Sequence, residues 1–187
     1  MNAVARLSPE DAADYRALML AAYQDHPDAF TSSVEERSAL PLSWWEARLA
    51  SGPTPAELVL GVRDGQALIG VAGLSFETRA KVRHKATLFG MVVAAAHRHR
   101  RVGRALVQAV LNEARQRAGV RVVLLTVTQG NTAAEALYAR CGFVPFGIEP
   151  LAVAVGTGFV SKVHMACDLS RDYFISRCGS HSVSPGQ

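Results

Sequence analysis

The chain has 187 residues, of which 49% are hydrophobic and 19% are charged, and its formal net charge is +4. This composition is that of an ordinary globular protein, and the length is sufficient for one domain with a substantial core. The net charge permits an anionic partner but is much less extreme than that of a dedicated nucleic-acid-binding protein, so the net charge alone does not identify the partner. We expect no nucleic-acid partner.

The cysteines and the N-terminal residues indicate a cytoplasmic protein. Cys141, Cys167 and Cys178 are widely spaced, form no CxxC pair and have no histidine at metal-ligand spacing, so we predict neither a disulfide framework nor a metal site. The N-terminus lacks the uninterrupted apolar segment of a signal peptide, and no apolar run approaches the ~18 residues of a membrane span. We therefore expect no membrane association.

The first half of the chain predicts two helices and then a set of strands. Ser8, with Pro9 and two acidic residues behind it, has the pattern of a helix start. From Glu57 the apolar residues change to the spacing of strands. The predicted elements are a helix at about 9–23, a polar connector at 26–41, a short helix at 43–50, a hairpin turning at 63–65 and a buried strand at 86–93.

The second half alternates helices with strands. Val102, Leu106, Val110 and Ala114 share one helical face and predict a helix over about 103–118. The further predicted elements are a central strand at 120–128, a helix at 131–142, a strand from 143, and a hairpin over 150–169 that turns at 156–158. Residues 170–187 are weakly patterned and predict a flexible tail, which leaves residues 1–169 as one α/β domain.

A basic turn lies between the predicted strand at 86–93 and the helix that follows. Residues 97–104 read HRHRRVGR. The free N–H groups of a first helical turn bind phosphate, and a glycine at 103 lets the backbone approach a ligand closely. The alternative is a solvated helix start or a general nucleic-acid patch. A Walker-type nucleotide loop is excluded because no GxxxxGK[ST] occurs.

Two polar residues near the next strand and helix favour a ligand site. Asn131 opens the predicted helix, and Tyr138 lies seven positions later, which places both on one helical face two turns apart. Taken singly, Asn131 is explained as a helix cap and Tyr138 as a core aromatic residue. Together with the basic turn, they favour a shared site for a phosphate-bearing ligand.

These residues resemble the GNAT superfamily of N-acetyltransferases. MVVAAAHRHRRVGRALVQAVLNEA is similar to its signature, in which R-x-x-G-x-G/A follows a strand and opens a helix. LLTVTQGNTAAEALYARCGFVPFG is similar to its second motif through Asn131, Leu137, Tyr138, Gly142 and Phe143. The resemblance implies a GNAT fold, in which helices flank a mixed, mostly antiparallel central sheet and a splayed strand pair holds acetyl-CoA.

The resemblance also implies the roles of individual residues toward acetyl-CoA. Arg101 stands where the family pattern has its first glycine, but the backbone N–H is retained, so we expect binding to persist. By resemblance, the Tyr138 hydroxyl protonates or hydrogen-bonds the departing sulfur, and the N–H of Val93 steadies the oxyanion. The expected cofactor-binding residues are Met91, Val92 and Val93 for the pantetheine arm, Arg98, His99, Arg100, Arg101, Val102, Gly103 and Arg104 for the pyrophosphate, and Asn131 and Tyr138.

Acetyl transfer also needs a group that removes a proton from the attacking amine. Glu77, at the end of a predicted strand, is a candidate catalytic base and acceptor contact, and His84 and Glu149 are further candidates. Glu77 is more often explained as a solvent-facing strand end, and His84 as an exposed residue of a basic loop. The acceptor-binding prediction consists of Phe30 and Glu77, with Trp44 and Trp45 as possible walls of the slot and Glu35 and Glu36 as attractors of an ammonium group.

Three functional hypotheses follow from the sequence. The first is an acetyltransferase that acts on a primary amine of a small or amino-acid-like acceptor. The second is the same chemistry on a protein N-terminus or lysine. The third is a non-catalytic acyl-CoA sensor or nucleic-acid-binding module on this fold. Because dimers occur widely in the superfamily, the resemblance also predicts a homodimer.

Overall fold

The computed structural model describes residues 3–49, 52 and 54–170. The predicted tail therefore lies almost entirely outside the described residues, as does Cys178, and the prediction of a single domain with a flexible tail stays a prediction. None of the helices in the described ranges has the length and hydropathy needed to span a bilayer.

The described chain folds into one mixed sheet with helices on both faces. The strands are β1 Val4–Arg6, β2 Glu57–Asp64, β3 Ala67–Phe76, β4 Lys85–Val93, β5 Val122–Thr128, β6 Val144–Val155 and β7 Gly158–Asp168. The helices are α1 Ala12–Asp25, α2 Val34–Ser38, α3 Leu42–Arg48, α4 Val102–Gln116 and α5 Thr132–Arg140, with 3₁₀ turns at Pro9–Asp11 and Ala95–His97. The predicted α/β fold class is confirmed.

The strand order is β1-β2-β3-β4-β5-β7-β6, and every neighbouring pair is antiparallel except β4 and β5. One core lies between the sheet and α4, whose Leu106 and Val110 are fully buried. A second core lies on the opposite face, where Met19 of α1 and Trp45 of α3 pack against Val59 and other residues of the sheet. Most of the sheet is thus buried on both faces.

Two features of the strands differ from the prediction. β1 was not predicted, because three residues are too few to show a strand period. Residues 144–155 form one strand, whereas the sequence predicted two strands separated near Pro150. β6 is the edge of the sheet, so the missing N–H of Pro150 removes no ladder bond, and the chain continues through an irregularity in which Leu151 has a φ of 54°.

The parallel pairing of β4 with β5 is short. It joins residues 85–87 to residues 122–124 and then ends, although both strands continue. Beyond this point β4 carries a bulge, because Val71 and Gly73 of β3 pair with Val92 and Phe89, so two steps along β3 match three along β4. Gly90, inside the bulge, has a φ of 56°, a conformation that glycine adopts readily. The two strands therefore separate and leave a gap in the sheet.

Candidate functional site

A cavity of about 390 Å³ occupies the gap between β4 and β5. Both strands contribute to its walls, together with α5, β7 and the segment after α1. Its lining includes Tyr138 and Asn131 from the predicted site. The lining also includes Ala29, Phe30, Thr31, Met91, Thr128, Lys162 and His164.

The end of β4 presents backbone groups to this gap. The Ala94 N–H donates to the Ile69 carbonyl of β3 at 2.9 Å. Because successive residues of a strand direct their N–H groups to opposite sides, the N–H of Val93 points away from β3 and toward the gap. This orientation is the one required of a strand that pairs with an extended ligand.

The basic turn opens α4 without an internal cap. Arg101 is the N-cap residue, and no described residue accepts a hydrogen bond from the N–H of Val102, Gly103 or Arg104. Gly103 lies against β4 and α5, since a Cβ there would be 3.1 Å from both Met91 Cε and Leu137 Cδ2. The helix start is thus held close to the gap with three free donors, an arrangement suited to an anion.

The four arginines of the turn are exposed but differ in their contacts. Arg98 makes two side-chain contacts: its Nε donates to the Val93 carbonyl at 3.3 Å, and its Nη2 donates to His26 Nε2 at 2.7 Å. Arg100, Arg101 and Arg104 lie around the start of α4. Since arginine is always protonated, these three side chains supply a permanent positive field beside the free N–H groups.

Tyr138 is the buried phenol of the cavity. Its ring packs edge-to-face on Phe143 with 5.8 Å between the ring centroids. Only 8% of the Tyr138 surface is exposed. Burial raises the pKa of Tyr138 to about 12, so the hydroxyl keeps its proton at neutral pH. That hydroxyl donates to Met91 Sδ at 3.4 Å and therefore points across the gap toward β4. Because a thioether is a weak acceptor, the Tyr138 hydroxyl loses little free energy when it exchanges the Met91 sulfur for the sulfur of a bound ligand.

Asn131 serves as a cap and also lines the cavity. Its Oδ1 accepts a hydrogen bond from the Ala134 N–H at 3.2 Å at the start of α5. The side-chain oxygen of Asn131 therefore caps α5, as the helix-cap explanation predicted. Its position in the lining is compatible with the further expectation that it contacts the cofactor.

Several cavity residues were missed by the sequence interpretation. Lys162 is buried, with 4% of its surface exposed, and its Nζ donates to Thr128 Oγ1 at 2.8 Å. His164, two residues later on the same face of β7, holds Glu149 of β6 through a 2.8 Å contact between Nε2 and Oε2. The signal available in the sequence was the pair of basic residues two positions apart, Lys162 and His164, in a strand that is mainly apolar.

Glu77 and His84 are not brought to the cavity. Glu77 follows β3 and donates its N–H to the carbonyl of Lys85, the first residue of β4, whereas the cavity lies farther along that strand. Its carboxylate lies 3.5 Å from Arg79 Nη2. The expectation that Glu77 is a base and an acceptor contact thus lacks the required proximity, because the hairpin between β3 and β4 carries it to the opposite end of the sheet from Val93.

The predicted acceptor residues also separate into two groups. Phe30 lines the cavity, as the sequence predicted. Trp45 is a core residue with 1% exposure and packs edge-to-face on Tyr15. Trp44 lies between the guanidinium groups of Arg37 and Arg48, at 4.7 and 5.3 Å from its ring centroid. Neither tryptophan lines the cavity.

A second cavity of about 460 Å³ adjoins the first, and both are lined by Phe30 and Thr31. It lies between the end of α1, α2 and the end of β6, and Glu35 and Glu36 contribute to its walls. Hydrogen bonds from its own backbone N–H and from Ser33 hold the pKa of Glu35 below its ordinary value, so this carboxylate is ionised at neutral pH. Phe30 and Thr31 therefore separate the two cavities.

Residues 19–143 match the Acetyltransferase (GNAT) family. The chain belongs to the GNAT acetyltransferase family. The match covers more than half of the chain and includes both motifs and the gap between β4 and β5. A GNAT acetyltransferase uses acetyl-CoA as its acyl donor, which agrees with a site that combines a splayed strand with an uncapped, basic helix start.

Solved structures of GNAT acetyltransferases share this fold. YncA from Salmonella typhimurium, determined with its cofactor acetyl-CoA, is 19% identical, with a TM-score of 0.74 over 100% of this chain and 99% of that one. A ribosomal-protein-alanine N-acetyltransferase from Brucella melitensis is 22% identical, with a TM-score of 0.72 over 89% and 99%. A spermidine N-acetyltransferase SpeG chimera from Vibrio cholerae and hSSAT is 19% identical, with a TM-score of 0.69 over 90% of this chain and 95% of that one. None of the curated proteins compared with this chain matches it.

The GNAT turn of this protein places a side chain in a conformation that favours glycine, since Arg101 has a φ of 64°. A non-glycine residue loses roughly 1–2 kcal/mol in this conformation. Arg100 carries the same charge without a positive φ. We predict that the free energy of unfolding, measured by urea denaturation, is about 1 kcal/mol higher for Arg101→Gly than for Arg100→Gly. Equal stabilities of the two variants would contradict this assignment of strain.

Proposed function

We propose that this protein transfers the acetyl group of acetyl-CoA to a primary amine of a small or amino-acid-like acceptor, by direct attack of the amine in the cavity between β4 and β5. The observation that carries this proposal is the orientation of Tyr138. A buried phenol with a raised pKa directs its hydroxyl across the gap toward β4, where the family binds its thioester substrate.

The donor is held mainly by backbone groups in this proposal. The pantetheine arm pairs with Met91, Val92 and Val93, whose strand pairs with no described strand on the gap side beyond residue 87. The free N–H groups at the start of α4 take the pyrophosphate. The residues that surround it are Arg98, His99, Arg100, Arg101, Val102, Gly103 and Arg104, and Asn131 contacts the donor from α5.

Tyr138 supplies the proton that the departing thiolate needs. When the amine attacks the thioester carbonyl, the carbonyl oxygen becomes an oxyanion, and the carbon–sulfur bond then breaks. The N–H of Val93 points to the side on which that oxygen develops. A phenol with a pKa of about 12 is fully protonated at pH 7 and donates to the sulfur as negative charge builds there.

His164, paired with Glu149, is the proton acceptor that the described cavity offers. The imidazole lines the cavity, and the carboxylate at 2.8 Å orients the ring. Glu149 was one of the three bases suggested by the sequence, and here it acts through His164. Glu77 and His84 have no comparable place in the cavity.

The second cavity favours an acceptor that carries positive charge. Glu35 and Glu36 lie on its walls, while Tyr23 and Phe30 contribute aromatic rings 4.9 Å apart. Carboxylates and aromatic faces both attract ammonium groups. In this proposal the acceptor extends from this cavity along Phe30, which lines both cavities, to place an amine in the first cavity.

Tyr138→Phe removes the proposed acid without removing the ring. We expect kcat to fall by ~10²–10⁴, the range of a general acid, while the KM for acetyl-CoA changes little. The measurement is thiol release with acetyl-CoA across a panel of polyamines, amino acids and short peptides. Tyr15→Phe is the matched control, because Tyr15 is a buried tyrosine with a pKa raised to about 12 by burial but lies in the other core. Unchanged turnover in Tyr138→Phe would remove Tyr138 from the reaction.

His164→Gln removes the proposed proton acceptor and should lower kcat/KM at pH 7 by about 10²-fold. The defect should shrink as the pH approaches ~10, because the acceptor amine then loses its proton in solution. His84→Gln is the control, since His84 is an exposed histidine at the other end of β4. The pH profiles of the three enzymes provide the test, and a defect of the same size at pH 7 and pH 10 would contradict the role of His164 as a base.

A further inference from the structure

We propose that Lys162 is a positioning residue that fixes the segment of residues 28–31 against the sheet and so sets the affinity for the acceptor but not for acetyl-CoA. This inference rests on the proposed function, because it assumes that the acceptor passes along Phe30. It concerns a buried lysine that neither motif of the family contains.

The ammonium group of Lys162 is fully engaged. Its Nζ donates to the Asp28 carbonyl at 3.2 Å, to the Ala29 carbonyl at 2.9 Å and to Thr128 Oγ1 at 2.8 Å. A protonated lysine has three donors and no acceptor. Since all three donors of Nζ are used within the protein, Lys162 has none left to bind an anionic ligand. Its hydrogen bonds instead hold parts of the chain together.

Thr128 completes the same network from the neighbouring strand. Its hydroxyl donates to the Asp28 carbonyl at 2.7 Å while it accepts from Lys162. Thr128 and Lys162 are register partners on β5 and β7, so their side chains leave the same face of the sheet. Two strands thus hold two consecutive carbonyl groups of one loop.

A buried lysine without partners would be unfavourable in this place. Desolvation lowers the pKa of Lys162, and the carboxylates of Asp28 and Glu149 oppose that shift. Burial of a charge is tolerated when its hydrogen bonds are all made. The three acceptors therefore make the burial of the Lys162 ammonium group tolerable. The same hydrogen bonds hold the carbonyl groups of Asp28 and Ala29, and so the loop, against the sheet.

The held loop carries residues of both cavities. Ala29, Phe30 and Thr31 line the first cavity, and Phe30 and Thr31 also line the second. The loop belongs to neither α1 nor α2, so its position depends on contacts with the sheet. The proposed donor site is built mainly from β4, the start of α4 and α5, and the loop meets it where His26 contacts Arg98. The pyrophosphate donors at the start of α4 belong to the helix itself, so release of residues 28–31 should change acceptor binding far more than donor binding.

The experiment compares Lys162→Met, which removes the donors at similar length, with Lys162→Arg, which retains them. Lys81→Met is the matched control, since Lys81 is an exposed lysine of the turn between β3 and β4. We expect Lys162→Met to raise the KM for the acceptor about tenfold or more, as expected for loss of charged hydrogen bonds, and to leave the KM for acetyl-CoA within about twofold. Lys162→Arg should recover most of the affinity.

Hydrogen–deuterium exchange supplies a readout that needs no activity. Lys162→Met should exchange faster in peptides that cover residues 26–33 and at the wild-type rate in peptides from α4. Equal increases in both KM values, an unchanged acceptor KM, or faster exchange across all peptides would overturn the proposal. If the wild-type protein acetylates no amine, the proposed function fails, and the exchange data still decide whether Lys162 holds the loop.

A second variant covers the case in which Lys162→Met does not fold. Thr128→Val removes one partner of Lys162 and one donor to Asp28 with little change in shape. It should produce the same local increase in exchange and a smaller rise in the acceptor KM. The same exchange rate as wild type in residues 26–33 of Thr128→Val would overturn the proposal in that case.

Discussion

The limited pairing of β4 with β5 is the constraint on which the site depends. A parallel ladder that continued beyond residues 85–87 and 122–124 would close the sheet and leave no room for a ligand. The bulge at Gly90 turns β4 away just beyond the last pair, and Gly103 lets α4 begin close to the end of that strand. The gap, its backbone donors and the buried Tyr138 all follow from this separation.

The walls of the gap have different functions in this account. β4 and the start of α4 offer backbone N–H groups and fixed positive charge, which suit a phosphorylated donor. β7 and the loop after α1 offer titratable and aromatic side chains, which suit an amine. Tyr138 lies between them, with its hydroxyl 3.4 Å from Met91 Sδ. The described contact that links the donor side to the loop after α1 is that of Arg98 with His26.

Local sequence patterns predicted the parts of the fold and site that depend on near neighbours. The end of the strand at Val93, the helix that carries Gly103 and the placement of Asn131 and Tyr138 on one helix all depend on short-range periodicity and capping. Sheet register was not available from one sequence. Lys162 meets Asp28 across 134 residues, and His164 meets Glu149 only through the pairing of β6 with β7. The pairing of β3 with β4 places the end of β3, where Glu77 follows, at the opposite end of the sheet from Val93.

The most direct test of the account is a crystal structure of the protein with acetyl-CoA, in which two distances are measured. The account predicts that the pyrophosphate oxygens accept hydrogen bonds from the N–H groups of Val102, Gly103 and Arg104, and that the Tyr138 hydroxyl lies within hydrogen-bond reach of the thioester sulfur. A donor bound outside the gap between β4 and β5, or a thioester on the far side of the sheet from Tyr138, would contradict it.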